Sequence, residues 1–310
     1  MALVIVTRGG PADDKWGPRL KPLMPELEMR HWPDVGDPSE VDAVLLWSVP
    51  DGLFETLTSL KAVLVTGAGV DTAMGGGKIP PHLPICRLID PSMTAEMSEY
   101  VVMQALRFHR QEAVYAAQQR DKIWKVHPQP HPADRRIGML GLGELGSDAL
   151  AKLKPFGFPL AGWSRTQKSL PGIECFSGRD GLDRFLARTD ILVNLLPLTA
   201  DTRNIIDARL LAQLPRGSFL INCARGGHVV DADLLAALDS GHVAGAALDV
   251  FHVEPLPTDH PYWSHPKVIL TPHSSALTNP TSAGPQIVEN LRRIADGRPL
   301  LNLVDRSRGY

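Results

Sequence analysis

The chain has little cysteine, and none of it is paired in pattern. Cys86, Cys175 and Cys223 stand far apart with no C-x-x-C among them. That argues against a disulfide framework or a cysteine zinc site and fits buried thiols in a reducing compartment, so a cytoplasmic protein with no metal is expected. A charge surplus is also missing: 32 Lys+Arg face 34 Asp+Glu, a net charge of −2. Nothing in that balance points to nucleic acid or a membrane surface as partner. No apolar run reaches the length of a membrane span. The first residues, Met1-Ala-Leu-Val-Ile-Val-Thr-Arg8, form too short an apolar run for a signal peptide and lack its basic start. What remains is an ordinary globular composition, 44% hydrophobic and 21% charged over 310 residues, enough for about two domains.

The first hundred residues lack any phosphate-binding fingerprint. They offer short apolar runs at residues 3–6, 43–47, 62–65 and 85–88, with a helix candidate at 50–60. Strands alternating with helical or loop segments predict a parallel α/β layer. Residues 94–118 contain neither Gly nor Pro and place Met97, Val101, Ala105 and Phe108 at helical spacing, which predicts one long helix. A proline-bearing loop over 121–135, carrying Trp124, follows it.

The most informative stretch comes next. Arg136-Ile-Gly-Met-Leu-Gly-Leu-Gly-Glu-Leu-Gly146 runs from a strand pattern into G-x-G-x-x-G. Gly141 allows the tight turn, Gly143 admits a pyrophosphate to the backbone, and Gly146 lets the next helix pack on its strand. Glu144 and Leu145 open that helix, whose free N–H groups bind phosphate. Strands are predicted at 136–140, 159–164, 191–195, 218–223, 245–250 and 268–271, with helices near 144–154, 181–188, 207–214 and 231–239. Asp231 is the expected N-cap and Gly241 the stop of the last helix. Six strands make a full doubly wound dinucleotide fold. A further helix over 280–296 and a polar tail are too small for a domain and are expected to pack back on the first layer.

The expected fold is therefore α/β, with two doubly wound parallel-sheet domains. A Rossmann cofactor domain (99–274) is inserted into a discontinuous, flavodoxin-like substrate domain (1–98 plus 275–310), with substrate in the cleft between them.

One absence speaks to the cofactor. A NAD site places an acidic residue at the tip of the second strand, on the ribose 2′-hydroxyl. Here that tip reads Ser164-Arg-Thr-Gln-Lys168, without Asp or Glu. Hydroxyls and cations at Ser164, Arg165, Thr166 and Lys168 suit a 2′-phosphate, so NADP(H) is expected over NAD(H).

Three segments supply a cation, a carboxylate and an imidazole after predicted strands: Ile221-Asn-Cys-Ala-Arg-Gly-Gly227, Leu248-Asp-Val-Phe-His-Val-Glu-Pro-Leu256 and Thr271-Pro-His-Ser-Ser-Ala276. With these, with Gly67-Ala-Gly-Val-Asp71, Trp163-Ser-Arg-Thr166, Asn194-Leu-Leu-Pro197 and the terminal Val304-Asp-Arg-Ser-Arg-Gly-Tyr310, nearly the whole chain resembles the D-isomer-specific 2-hydroxyacid dehydrogenase family. The glyoxylate/hydroxypyruvate reductase A branch is the nearest likeness. The resemblance implies NADPH-dependent reduction of glyoxylate and hydroxypyruvate to glycolate and D-glycerate. It implies that Arg225 holds the 2-oxoacid and polarises its carbonyl, His273 is the general acid, and Glu254 pairs with it. Leu196, Pro197, Cys223 and Ala224 are expected to border the nicotinamide, and Asp249 to lie near its carboxamide. Backbone N–H groups of Ala68, Gly69 and Val70 would form a nest for the substrate carboxylate. The resemblance further implies a homodimer; Trp124 lies in the loop where family dimers often reach into the partner's site, and whether it makes that contact stays open.

Alternatives stay open at this point. Trp47 fits a pocket wall or a core position equally well. His228, His252 and His265 read as helix-end, loop or surface residues. A larger 2-oxoacid, or a nucleotide-sensing binding protein of corepressor type, competes with the small-substrate enzyme. The absence of a C-terminal regulatory extension is expected to set the chain apart from phosphoglycerate dehydrogenases of the serine pathway.

Overall fold

The computed structural model describes residues 1–7 and 10–310. The chain divides into two compact units, one of Met1–Met93 with Thr278–Tyr310 and one of Thr94–Leu277.

In the first unit five parallel strands, β1 (Ala2–Ile5), β2 (Glu28–His31), β3 (Val41–Leu46), β4 (Ala62–Val65) and β5 (Ile85–Cys86), lie in the order β2-β1-β3-β4-β5. This is the flavodoxin-like 2-1-3-4-5 order. Strands covered on both faces read as unbroken apolar runs, and β1 and β4 are buried at every position. β2 escaped the sequence reading because it is an edge strand, Glu-Met-Arg-His, with no fully buried residue. The predicted helix at 50–60 shrinks to α2 (Leu53–Thr56), after the four-residue α1 (Gly17–Leu20). Gly52 at φ +78° sets the start of α2, and Leu57 already leaves helical geometry. The C-terminal helix, Pro280–Asp296, forms as expected: the Asn279 side chain accepts from the Thr281 N–H, and Gly297 at φ +66° ends it. Its Ala283, Ile287, Val288 and Leu291 pack with Leu3, Ile5, Leu20 and Leu45.

The second unit holds β6 (Ile137–Leu140), β7 (Leu160–Ser164), β8 (Glu174–Ser177), β9 (Ile191–Asn194), β10 (Ser218–Asn222), β11 (Val243–Leu248) and β12 (Val268–Leu270). All pair in parallel, in the order β12-β11-β10-β9-β6-β7-β8. The chain starts at β6 inside the sheet, runs out to β8, and returns beside β6 as β9. That reversal is the topological switch point where open α/β sheets bind nucleotides. The sheet has seven strands where six were predicted. The extra one, β8, is again a partly exposed edge strand without an apolar run.

The predicted helix over 94–118 is two helices, α4 (Pro91–His109) and α5 (Glu112–Arg120), with α3 (Asp71–Met74) before them. The break falls at Gln111, which adopts φ +58° and donates its side-chain amide to the Pro128 carbonyl at 2.7 Å. No Gly or Pro marks it, so local sequence hides it. After the fingerprint come α6 (Glu144–Leu153), α7 (Gly178–Ala187), α8 (Ala208–Gln213) and α9 (Asp231–Asp239). The N-cap of α9 is Val230, not Asp231. Asp231 is the first helical residue and accepts a hydrogen bond from the Tyr262 hydroxyl at 3.0 Å instead. Gly241, at φ +69°, stops the chain as expected. No helix among the described residues is long and apolar enough to cross a membrane.

Candidate active site

β6 delivers the fingerprint to the switch point. Gly141 stands at φ +103°, and a Cβ there would lie 2.6 Å from the Leu195 carbonyl oxygen. A Cβ on Gly146 would come within 2.0 Å of the Gly141 oxygen. One glycine is required by backbone conformation and the other by helix-to-strand approach. Gly143 differs: a Cβ there meets nothing within 4 Å, and no side chain caps the helix that Glu144 and Leu145 begin. Open space in front of uncapped helical N–H groups is a cradle suited to a pyrophosphate. We expect Gly146→Ala to separate α6 from its strand, to destabilise the fold by about 1–3 kcal/mol through overpacking, and to weaken dinucleotide binding. Thermal melting and cofactor titration measure the two effects.

β7 pairs with β6 and ends at Ser164, whose hydroxyl donates to the Thr166 carbonyl at 2.8 Å. That bond folds the strand tip and leaves Arg165, Thr166 and Lys168 exposed. On the other side of β6, the turn after β9 brings Leu195 and Leu196 beside Gly141, with Pro197 next in the chain, and the Leu195 N–H bonds the Leu140 oxygen at 2.8 Å. Cys223 and Ala224 follow β10 and are buried. Burial pushes the Cys223 thiol well above its ordinary value, so it stays protonated. It is a buried thiol and not a nucleophile.

Arg225, Glu254 and His273 follow β10, β11 and β12 respectively, at the carboxyl edge of the sheet. His273 Nδ1 lies 2.7 Å from Glu254 Oε2, and the two side chains are 34% and 35% exposed, so both remain within reach of a ligand. The other Glu254 oxygen accepts the Phe251 N–H at 2.9 Å. Burial alone would raise the Glu254 carboxyl. The His273 hydrogen bond, the Phe251 N–H and the charges of His273 and Arg225 together outweigh it and hold the carboxyl below the usual carboxylate value. Glu254 is thus an anion at neutral pH. The Arg225 guanidinium is aimed by a bond from Nη1 to the Ala224 carbonyl at 2.7 Å. Gly226 lets this loop approach the Glu254 loop closely, since a Cβ there would fall 1.9 Å from the Phe251 carbonyl carbon.

His273 sits at φ +53°, an uncommon backbone for a non-glycine residue. Asp249 explains how that is sustained. Its carboxylate, 0% exposed, accepts from the Thr271 hydroxyl at 2.6 Å and from the Ser274 and Ser275 N–H groups at 2.8 and 3.0 Å. Its carbonyl takes the His273 N–H at 2.7 Å. Thr271 is itself held by the Tyr100 hydroxyl at 2.8 Å, and burial pushes the Tyr100 phenol up to about 12. The resemblance implies that Asp249 lies near the nicotinamide carboxamide; among the described residues its side chain accepts from the His273 loop. Backbone strain of this kind is sustained by such over-determination. Sequence reading missed Tyr100 and Thr271, which lie on elements remote from one another in the chain.

The first unit carries its own anion-binding geometry. The Thr66 carbonyl accepts from Thr278 Oγ1 and the Gly67 carbonyl from the Leu88 N–H, at 2.7 and 3.0 Å. The N–H groups of Ala68, Gly69 and Val70 donate to no acceptor among the described residues. A run of free N–H groups in a tight turn is a nest for an anion. Trp47 packs closely against this loop: a Cβ on Gly67 would lie 2.3 Å from the indole. Trp47 is half-buried, so it is both a support of the loop and part of its exposed wall.

With this geometry in place, comparison with known proteins is direct. Residues 102–275 match the family model of the D-isomer specific 2-hydroxyacid dehydrogenase NAD binding domain. The structure of a D-isomer specific 2-hydroxyacid dehydrogenase from Xanthobacter autotrophicus Py2, in complex with NADPH and MES, is similar at 43% identity and a TM-score of 0.95, over 100% of this chain and 99% of that one. An NADPH-dependent glyoxylate/hydroxypyruvate reductase from Sinorhizobium meliloti, in complex with NADP and sulfate, is 38% identical over 100% of both chains, with a TM-score of 0.91. A probable 2-hydroxyacid dehydrogenase from Rhizobium etli CFN 42, with NADP, HEPES and L(+)-tartaric acid, is 37% identical over 100% of this chain and 99% of that one, with a TM-score of 0.92. The chain therefore belongs to the D-isomer specific 2-hydroxyacid dehydrogenase family and is an oxidoreductase that works with a nicotinamide dinucleotide.

Proposed function

We propose that the protein is an NADPH-dependent reductase of small 2-oxoacids, first of all glyoxylate and hydroxypyruvate, yielding glycolate and D-glycerate. The observation that carries this reading is the 2.7 Å His273–Glu254 pair on the sheet edge that also presents Arg225. Bound reduced nicotinamide supplies the hydride. The chain's residues do the rest. The Arg225 fork holds the substrate carboxylate and carbonyl oxygen and stabilises the charge that develops on that oxygen. His273 gives its proton to the forming alkoxide, while anionic Glu254 keeps the ring oriented. The Ala68–Val70 nest takes a carboxylate, and Trp47 favours a small one. We assign the substrate role to residues 1–98 with 275–310, and the cofactor role to 99–274.

Cofactor choice rests on the exposed cations Arg165 and Lys168 at the tip of β7. Arg165→Ala should raise KM for NADPH about 10–100-fold, the loss of one charge-assisted bond to a phosphate, and leave KM for NADH within about threefold. Steady-state kinetics with both cofactors decide this. Equal or better kcat/KM with NADH in the unaltered protein overturns the NADPH assignment. The reductase itself is tested by loss of absorbance at 340 nm with NADPH and a panel of 2-oxoacids. A protein that turns over none of them is not this enzyme.

The assembly we propose is a cytoplasmic homodimer. Its support is the exposed apolar series Ile123, Trp124 and Val126, at 52%, 100% and 82% exposure, in the loop after α5. Such a patch on a monomer marks an interaction surface. Light scattering that gives the mass of a single chain at micromolar concentration would reject the dimer.

A further inference from the structure

His228 reads in the sequence as a loop or helix-end histidine. In the structure it is 0% exposed. Its two ring nitrogens face backbone carbonyls of two different loops: Nδ1 lies 3.1 Å from the Arg225 oxygen and Nε2 3.3 Å from the Pro197 oxygen. A carbonyl cannot donate, so each contact requires an N–H on the ring. A neutral ring fills one contact and an imidazolium both.

Two buried asparagines complete the connection from the opposite side. Asn194 and Asn222, each 0% exposed, end β9 and β10. Asn194 Oδ1 accepts the Leu196 N–H at 3.2 Å, and Asn194 Nδ2 donates to Asn222 Oδ1 at 3.0 Å. Asn222 Nδ2 in turn donates to the Arg225 carbonyl at 3.0 Å. Bonds run from the 195–197 turn through Asn194 and Asn222 to the Arg225 oxygen, and His228 sits between that oxygen and the Pro197 oxygen of the same turn, donating to one of them as a neutral ring and to both as an imidazolium.

We propose that His228 is a positioning residue for the reaction. With Asn194 and Asn222 it forms a buried polar ring of contacts, wedged between two carbonyls, that holds the Arg225 backbone against the turn bordering the nicotinamide. This rests on the reductase reading for its kinetic consequence. Three features favour positioning over simple core filling. The ring spends its polar groups on two loops and not on one. It fixes the Arg225 carbonyl, so the guanidinium is aimed from an immobile backbone. Gly227 packs against Leu198 of the other loop, since a Cβ there would lie 3.2 Å from Leu198 Cδ2, so displacement of either loop disturbs both. A misplacement on the order of 1 Å at a substrate-orienting group costs up to ~100-fold in rate.

The experiment compares His228→Leu, which removes both ring contacts, with His228→Gln, which keeps one donor, in the full-length protein. Hydrogen exchange is followed without ligand, and kinetics with NADPH and glyoxylate. For His228→Leu we expect faster exchange in both 195–199 and 223–228, and kcat/KM lowered about 10–100-fold. His228→Gln should recover most of that loss. In an Arg225→Lys background, His228→Leu should cost less than about threefold more, because coupled residues are not additive. Exchange that rises only in 223–228, kcat/KM within threefold of the unaltered protein, or full additivity with Arg225→Lys would each overturn the proposal. If the leucine chain does not fold, Asn222→Ser opens the ring at its far side and is judged by the same outcomes. If the unaltered protein reduces no 2-oxoacid, the reductase reading fails alone, and exchange in the two loops still decides the ring.

Discussion

His273→Asn lowers kcat for 2-oxoacid reduction by about 10²–10⁴-fold near pH 7, the range supplied by one positioned general acid, with KM for NADPH within about threefold. Asparagine keeps a hydrogen-bonding side chain and tolerates the φ of +53° at this position, so the loop built by Asp249 survives. The substitution removes the transferable proton and little else. Single-turnover rates with NADPH bound measure the chemical step directly, and kcat within threefold of the parent rejects the assignment. Glu254→Gln is the companion test. Its carboxyl is held below the ordinary value, so the ionised carboxylate contributes stability above the unfolded carboxylate value, and that contribution is lost as pH falls through the depressed one. Glu254 is therefore an anion across neutral pH. Without the carboxylate the His273 ring loses the partner that fixes its orientation, so kcat should fall in Glu254→Gln with KM for NADPH within about threefold. An unchanged kcat would separate Glu254 from the proton transfer.

Arg225→Lys lowers kcat/KM by about 10²–10³-fold, equivalent to about 3–4 kcal/mol of lost transition-state stabilisation. Charge is kept, yet a lysine ammonium is a point charge that cannot hold carboxylate and carbonyl oxygens in one plane. The loss should appear in both parameters, because the same fork binds the ground state and meets the developing oxyanion. A rise in KM with kcat untouched would reduce Arg225 to a carboxylate anchor. Glu254 offers a second readout. Arg225 is among the charges that keep its carboxyl low, so Arg225→Met should raise that titration, while Arg225→Lys should not.

Much of the architecture was legible before any fold was known. The central strands are buried on both faces and so are written as apolar runs, as in Ala62–Val65 and Ile191–Asn194. The edge strands Glu28–His31 and Glu174–Ser177 were not legible, because a half-exposed strand carries no such run. The break at Gln111 was invisible for a related reason. It is held by a side-chain bond to Pro128, seventeen positions away, and not by a local Gly or Pro.

The site divides along the same line. The fingerprint, the missing acidic residue at the second strand tip, and Arg225, Glu254 and His273 as candidates were legible in the sequence, since each follows a recognisable strand and the last three carry the family resemblance. Tertiary structure alone decided what holds them. Asp249 is occupied with the His273 loop, Thr271 is tied to Tyr100 on a distant helix, and His228 joins the Arg225 carbonyl to that of Pro197. Those roles depend on backbone N–H and C=O groups, which every residue carries alike. Sequence cannot show which of them face one another; only the folded sheet edge brings a carbonyl at 197 and one at 225 to the two sides of a single imidazole.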